Sequence, residues 1–367
     1  TSNTTQFFID QVLSPFRYEH ITSGTNLNRI FTLSASETYN FGRNTTNRIG
    51  STSIFGTLAI NKDIEVGSHN GTNSFIGDIP VSGSHFQLST RSASCATSQS
   101  INNYGTIEIG DNSVSNTADF ILTNGTTLSL RNGSELRIAD NSTLLVEEGA
   151  LLRIYDNTTI HLEGSNSKIV VKGQIRIEGN SSFAFTKGSA SNSGYLHLII
   201  NEHNQGEVFT GTGSPTVDIT GTNAFSDEVV RVEGGTLNVP ANFANFKITS
   251  GKINLVAGNT SSNKAQLDIS SPISMDFCLI NGIGSGSTKP TGLITHGQSG
   301  INMPHLYMDN LDIGWYAKNN TLGNQPTIGY ALIKRCVTGL VYEHIGATSL
   351  ANVNTHTCET GIELHNY

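Results

Sequence analysis

The sequence predicts an all-β fold, a parallel β-solenoid, on three observations. These are a repeat of eight residues, strand-type alternation within each repeat, and a composition rich in corner-forming residues. The 367 residues include 38 Gly and 38 Asn, whereas charged residues make up only 14%. Helical bundles and coiled coils need strong helix formers over long windows, so this composition excludes them. The modest net charge of -8 and the regular recurrence of apolar residues also exclude a disordered chain.

The octad repeat runs from Asn124 to Phe185. Its first five units read NGTTLSLR, NGSELRIA, DNSTLLVE, EGALLRIY and DNTTIHLE. Each unit contains an apolar-x-apolar triplet, such as Leu128 and Leu130, whose large side chains share one face of a strand because strand side chains alternate. The Gly, Asn or Asp before the triplet supplies a corner. Three octads would then form one triangular coil of roughly 24 residues, stacked about 4.8 Å from the next coil.

Apolar-x-apolar triplets also occur before and after the octads, but at less regular spacing. This change of spacing predicts that the chain is divided into three segments. Residues 1–100 are expected to form an N-terminal cap and irregular first coils, because an uncapped solenoid end exposes apolar surface and a sheet edge. Residues 101–270 are expected to form the regular octad solenoid. Residues 271–367 are expected to form a β-helix with longer coils that continues past the end of the chain, in a larger secreted polypeptide.

The longer C-terminal unit carries a family resemblance. Its segments align on Gly314, Gly339 and Gly361, and two of them share a Cys-x-x-Gly-Leu/Ile ending, which starts at Cys336 and Cys358. In these endings the chain resembles right-handed parallel β-helix proteins of the pectate-lyase type, over residues 105–367. The resemblance implies a right-handed coil, which parallel connections also favour, but it implies no single activity because this fold hosts many.

The octads carry a second resemblance. They are similar to the Gly/Thr/Leu-rich solenoids of bacterial adhesins and of large secreted proteins of Bacteroidota.

A candidate catalytic column follows from the glycine alignment. Asp309, Lys334 and His356 each lie five positions before their glycine. The resemblance implies that this position points outward, where polysaccharide lyases and hydrolases of this fold commonly place their chemistry. An acid, a base and an imidazole on adjacent rungs could bind a sugar acid or transfer a proton. Alternatively, the three form a solvated column whose opposite charges support strand register.

Carboxylate pairs are a related hypothesis. Asp309 with Asp312, or Asp276 with Asp309, would suit glycoside hydrolysis if the separation were right. Asp is also a common corner residue, so both interpretations stay open.

Cys336 and Cys358 are a disulfide candidate, since their equivalent positions would bring their Cα atoms to about the rung spacing. They could equally stack as small buried apolar residues.

Trp315 and Tyr316 are the predicted ligand-binding residues. Two adjacent aromatic residues beside long insertions would offer a platform for a sugar ring.

No metal site or cofactor is predicted, because CxxC and CxxH spacings are absent. Calcium is the exception that stays open, at the Asp-Asn corners that begin at Asp111, Asp140 and Asp156. Turn chemistry also accounts for these corners.

The charge balance predicts which partners to exclude. With 21 Lys and Arg against 29 Asp and Glu, the chain shows no basic footprint for nucleic acid or anionic membranes. No apolar run is long enough for a membrane span. The expected function is therefore a non-catalytic, secreted or cell-surface bacterial stalk or adhesin segment, with a polysaccharide or cell-surface glycan as partner. The alternatives are a polysaccharide lyase or glycoside hydrolase, and the cargo of a secretion system that engages anchoring machinery through further C-terminal sequence.

Overall fold

The protein is an all-β parallel β-solenoid in the computed structural model. The structure describes residues 102–103, 106–110, 118–164, 166–187, 194–200, 206–257, 264–284, 288–319, 324, 326–343 and 352–365, and otherwise only the backbone of the strands given below. Two compact units divide the chain, Thr1–Ile169 and Val170–Tyr367. Within the described residues, no helix is long and apolar enough to cross a membrane.

The first unit contains short strands, most of four residues. They are β1 (Tyr18–Glu19), β2 (Ile30–Leu33), β3 (Arg48–Ile49), β4 (Thr52–Ser53), β5 (Thr57–Ile60), β6 (Ile64–Val66), β7 (Ile76–Ile79), β8 (His85–Leu88), β9 (Ser92–Cys95), β10 (Ser100–Asn103), β11 (Thr106–Ile109), β12 (Asp119–Leu122), β13 (Thr127–Leu130), β14 (Glu135–Ile138), β15 (Thr143–Val146), β16 (Leu151–Ile154) and β17 (Thr159–Leu162). Strand β18 (Lys168–Val171) includes the last two residues of the first unit and the first two of the second.

The second unit contains strands of three to twelve residues, the longest of which is β26. They are β19 (Gln174–Ile177), β20 (Ser182–Lys187), β21 (Tyr195–Ile199), β22 (Phe209–Gly211), β23 (Thr216–Thr220), β24 (Glu228–Glu233), β25 (Thr236–Val239), β26 (Asn245–Val256), β27 (Gln266–Ile269), β28 (Ile273–Ile283), β29 (Leu293–Thr295), β30 (Ile301–Asp309), β31 (Ile313–Asn320), β32 (Thr327–Lys334), β33 (Thr338–His344), β34 (Val353–His356) and β35 (Thr360–Asn366).

The strand register confirms the predicted coil of three octads. In the first unit β13 pairs in parallel with β16, β14 with β17 and β12 with β15. In each case the partner residue lies three octads further along the chain, as Leu128 pairs with Leu152. Each octad therefore forms one strand of a coil, and equivalent residues of successive coils lie side by side.

The corners also form as the sequence predicts. Gly125 and Gly149 adopt φ values of 75° and 73°, and Asn141 and Asn157 adopt 53° and 57°. These are left-handed conformations, which Gly adopts without a steric penalty and Asn tolerates better than most residues. The second residue of each of the first five octads is thus the corner residue at which the chain turns into the next strand.

The predicted triplets supply the core. The paired apolar side chains are buried in the octads and in the looser triplets that precede and follow them in the sequence. From Ile107 and Ile109 to Leu267 and Ile269, their relative exposures are 3% or less. The predicted N-terminal cap, residues 1–100, lies outside the residues whose side chains the structure describes. The predicted change of coil at residue 271 stays a prediction.

Bends distinguish the longer strands of the second unit. β26 and β28 pair along almost their full length, and each contains one non-glycine residue in the left-handed region, Ser250 with φ 54° and Phe277 with φ 53°. A single left-handed residue turns the strand without breaking it. The two halves of each strand therefore present different faces, and the bend residue projects between them.

The leucine pair of β15 tests the assignment of inward and outward faces. Leu144 is fully buried, whereas Leu145 points outward and is half-buried. We expect Leu144→Ala to lower the free energy of unfolding by about 2 to 5 kcal/mol, because it leaves a cavity in the column. The matched control Leu145→Ala should cost no more than about 1 kcal/mol. Equal losses in urea denaturation would contradict the assignment.

Candidate functional site

The predicted column of Asp309, Lys334 and His356 exists. Strands β30, β32 and β34 pair so that Asp309 lies opposite Lys334 and Lys334 lies opposite His356. The same column continues toward the N-terminus through Asn281 and Asn254. The alignment on glycines therefore identified true rung neighbours.

The accessibility of this column differs from the prediction. Asp309 is only 5% exposed. Arg335 holds both of its oxygens, with Nε at 2.7 Å from Oδ1, and Lys334 Nζ lies 3.6 Å from Oδ2. A buried carboxylate whose oxygens are both engaged by cations is not free to contact a substrate. Lys334 and His356 are the members that reach the surface.

The carboxylate pairs also have other partners. Asp312 forms an ion pair with Lys264, and Asp276 accepts a hydrogen bond from His305. Their role in hydrolysis stays a prediction.

The predicted platform of Trp315 and Tyr316 is wrong for Trp315. Its side chain is fully buried in the inward column, between Leu293 and Leu340 on the neighbouring strands, and Nε1 donates to Thr295 Oγ1 at 3.1 Å. Because side chains alternate along β31, its neighbour Tyr316 faces outward instead.

Tyr316 has protein partners at the surface. Its hydroxyl forms a hydrogen bond with the Glu343 carboxylate, and Lys318 Nζ lies 4.7 Å from the ring centroid. A single ring with a cation against it is a smaller platform than the predicted pair.

Cys336 and Cys358 are free thiols on adjacent rungs. Burial raises the pKa of Cys336 to about 12, which keeps the thiol protonated and slow to exchange at neutral pH. The structure thus contains the stacked, unbridged form of this pair, and the disulfide stays a prediction.

Among the residues that the structure describes, no three His, Cys, Asp or Glu side chains lie close enough together to hold a metal ion. Asn141 and Asn157 act as left-handed corner residues, while the corner at Asp111 lies outside the described residues. Calcium binding stays a prediction.

A cluster of aromatic side chains on the outer face of the second unit is the most distinctive surface feature. Phe277 and Tyr330 are 37% and 39% exposed, which is unusual for large rings on strands. We call this cluster the aromatic patch. Its members are Phe225, Phe277, His305, Tyr307 and Tyr330.

The rings of the aromatic patch are packed against one another. Phe277 stacks on His305 with centroids 4.3 Å apart and planes within 9°, and Phe225 stacks on Tyr307 at 4.2 Å and 7°. Tyr330 meets Tyr307 edge to face at 6.1 Å. Such contacts fix the ring orientations, so the patch is a preorganised surface.

Strand register and bends bring these rings together. His305 pairs with Tyr330 across β30 and β32, and Tyr307 pairs with Leu332 two residues later. Phe277 and Phe225, with φ values of 53° and 63°, occupy the left-handed region, and the amide of Phe225 donates to the carbonyl of Phe277 at 3.1 Å. Bulky residues are rare in this region, and such strain concentrates at functional sites.

A carboxylate holds the loop that carries Phe225. Asp227 is buried, and its oxygens accept hydrogen bonds from the amide and hydroxyl of Thr222 and from the amide and side chain of Asn223. Burial disfavours its charge, but the hydrogen bonds from Thr222 and Asn223 prevail, so the pKa of Asp227 is lowered. The loop is therefore a defined structure that fixes the Phe225 ring over Tyr307.

One edge of the aromatic patch is polar. His305 Nδ1 lies 2.9 Å from Asp276 Oδ1, and both side chains are partly exposed. Because a carboxylate only accepts, Nδ1 carries the proton in this bond. The patch thus combines ring faces with hydrogen-bonding groups at their edge.

The comparisons with known proteins were negative. No family model, no curated protein and no solved structure matches the chain.

The strained bends provide a test of ring packing. Ser250→Gly relieves the left-handed backbone and removes no ring, so we expect it to stabilise the fold by about 0.5 to 1 kcal/mol. Phe277→Gly relieves the same strain but loses the stack with His305, so its free energy of unfolding should stay at or below that of the wild type. If Phe277→Gly stabilises the protein as much as Ser250→Gly in denaturant titrations, the stack contributes nothing.

The Asp227 loop provides a pH test. A lowered folded-state pKa means that the stabilisation is present above the unfolded value of about 3.9 and is lost as pH falls through the folded value. We expect the amides of Thr222 and Asn223 to be protected from hydrogen exchange at pH 7 and to keep this protection until the pH falls below the unfolded value of about 3.9. Asp227→Asn, which cannot ionise, should show no such step after correction for intrinsic exchange. A step of the same size in the variant would contradict this assignment.

Proposed function

We propose that the chain is a non-catalytic β-solenoid segment of a secreted or cell-surface protein, and that it binds glycans through the aromatic patch. The observation that carries the proposal is the group of stacked, exposed rings on a lateral face. Soluble proteins rarely expose such clusters unless they bind something.

The chemistry of the patch favours a carbohydrate. A sugar has apolar ring faces, which pack on aromatic side chains, and hydroxyl edges, which need donors and acceptors. The patch offers both, because the Asp276 and His305 pair borders the ring of Phe277. The rings are held by stacking and by backbone bends, so little side-chain entropy is lost on binding.

The polar column supports a non-catalytic interpretation. The Asp309 carboxylate is buried and paired with Arg335 and Lys334. This arrangement suits a structural column that fixes the register of β30 and β32.

The enzyme alternative rests on Lys334 and His356, which the register places on adjacent rungs. It predicts depolymerisation of neutral or anionic polysaccharides by the purified chain, with turnover abolished by Lys334→Ala or His356→Ala. Such a result would overturn the non-catalytic proposal.

The proposal predicts that binding depends on the exposed rings. We expect an oligosaccharide array followed by calorimetry to identify a glycan whose affinity falls about tenfold or more in Phe277→Ala and Tyr330→Ala. Tyr155→Ala is the matched control, because Tyr155 is a surface ring in the first unit with Arg131 4.2 Å from its centroid. Wild-type affinity in both patch variants, or an equal loss in Tyr155→Ala, would contradict the assigned location.

A further inference from the structure

The polar edge of the aromatic patch discriminates between classes of sugar, and we infer that the patch binds a neutral polysaccharide and rejects uronic-acid chains. This inference rests on the proposed glycan-binding function and adds the ligand class.

The two polar groups at this edge, Asp276 and His305, are fixed in position, and each has an atom that can form a further hydrogen bond. His305 is held by its stack on Phe277 and by its bond to Asp276. Among the described residues, Asp276 Oδ2 and His305 Nε2 form no further hydrogen bond. The free oxygen of the Asp276 carboxylate accepts hydrogen bonds, and Nε2 is the imidazole nitrogen that remains for a ligand. A hydroxyl group can donate to the carboxylate and can bond to Nε2, and every neutral sugar supplies hydroxyl groups.

The carboxylate of a uronic acid is disfavoured at this edge of the patch. A sugar ring that packs on Phe277 brings its substituents to Asp276, so a carboxylate on that sugar would stand beside a second carboxylate. Like charges in such contact repel, and an ionised carboxylate offers no proton to satisfy the acceptors.

The neighbouring cations do not reverse this preference. On one side of the rings Lys247 Nζ is bound to Asp218 Oδ2 at 2.9 Å, and on the other Arg335 and Lys334 hold Asp309. Lys252 lies opposite Glu228 in the pairing of β24 and β26. Lys247 and Lys252 therefore each have an acidic neighbour, Arg335 and Lys334 share Asp309, and Asp276 is the carboxylate that borders the rings.

Matched oligosaccharides test the inference. We would titrate the full chain with mannohexaose and hexamannuronate, and with cellohexaose and its carbon-six-oxidised hexauronate. Within each pair the backbone is the same, and only the hydroxymethyl group is replaced by a carboxylate. We expect binding of a neutral member, with its acidic counterpart at least about tenfold weaker at low ionic strength.

The responsible group is tested with Asp276→Asn. The amide keeps an acceptor and removes the charge, so the preference for the neutral member should shrink by about threefold or more, chiefly because the acidic member binds better. Asp218→Asn is the matched control, since it removes a carboxylate on the same sheet that is bound to Lys247. It should leave the preference unchanged.

The outcomes separate the two proposals. Binding of acidic members as tightly as neutral ones, or a preference that Asp276→Asn does not alter, overturns the neutral-ligand inference and leaves glycan binding intact. Binding of no member of either pair contradicts both.

Discussion

In-register parallel stacking is the constraint on which the rest of the structure depends. Each residue lies opposite the equivalent residue of the next coil, as Leu128 lies opposite Leu152 in the first unit and Asp309 opposite Lys334 in the second. A side chain is therefore not placed singly but as a member of a column that runs from rung to rung. Inward columns are mainly apolar, because a polar group there needs a partner within the core, as Trp315 Nε1 has in Thr295 Oγ1. Outward columns have no such requirement, and function can be built on them.

The second unit shows how regular columns acquire a distinctive surface. A left-handed residue bends a long strand, so residues near the bend leave the simple alternation of inward and outward side chains. Phe277 occupies such a bend, and Phe225 comes from the neighbouring loop, which Asp227 holds through hydrogen bonds. The Phe277 ring stacks on His305 of the next coil, and the Phe225 ring stacks on Tyr307 of the same strand as His305. The strain of two bulky left-handed residues is thus retained where it positions exposed rings.

The sequence predicted what periodicity controls. The octads identified the strands, the corners and the buried pairs, and the glycine alignment identified Asp309 and Lys334 as rung neighbours. Either of two neighbouring residues in a strand can point inward, and the sequence around Trp315 does not show which one does. The prediction that Trp315 lies at the surface is therefore wrong. Arg335 follows the last residue of β32 and has a left-handed φ of 54°, so the strand alternation does not tell where its side chain points. Its hydrogen bond to Asp309 was therefore not predictable from residue spacing. The sequence did not predict the aromatic patch either. The left-handed bend at Phe277 interrupts the alternation of inward and outward side chains, on which the prediction of the other residues depends.

Column stacking and strand bends together build the aromatic patch, to which we propose that a neutral glycan binds. A crystal structure of the chain with a bound neutral oligosaccharide tests this proposal most directly. We expect a sugar ring packed on Phe277 and Tyr330, with hydroxyl groups within hydrogen-bond distance of Asp276 and His305. A sugar bound at another face, with the patch empty, would contradict it, and so would a register in which His305 and Tyr330 are not neighbours.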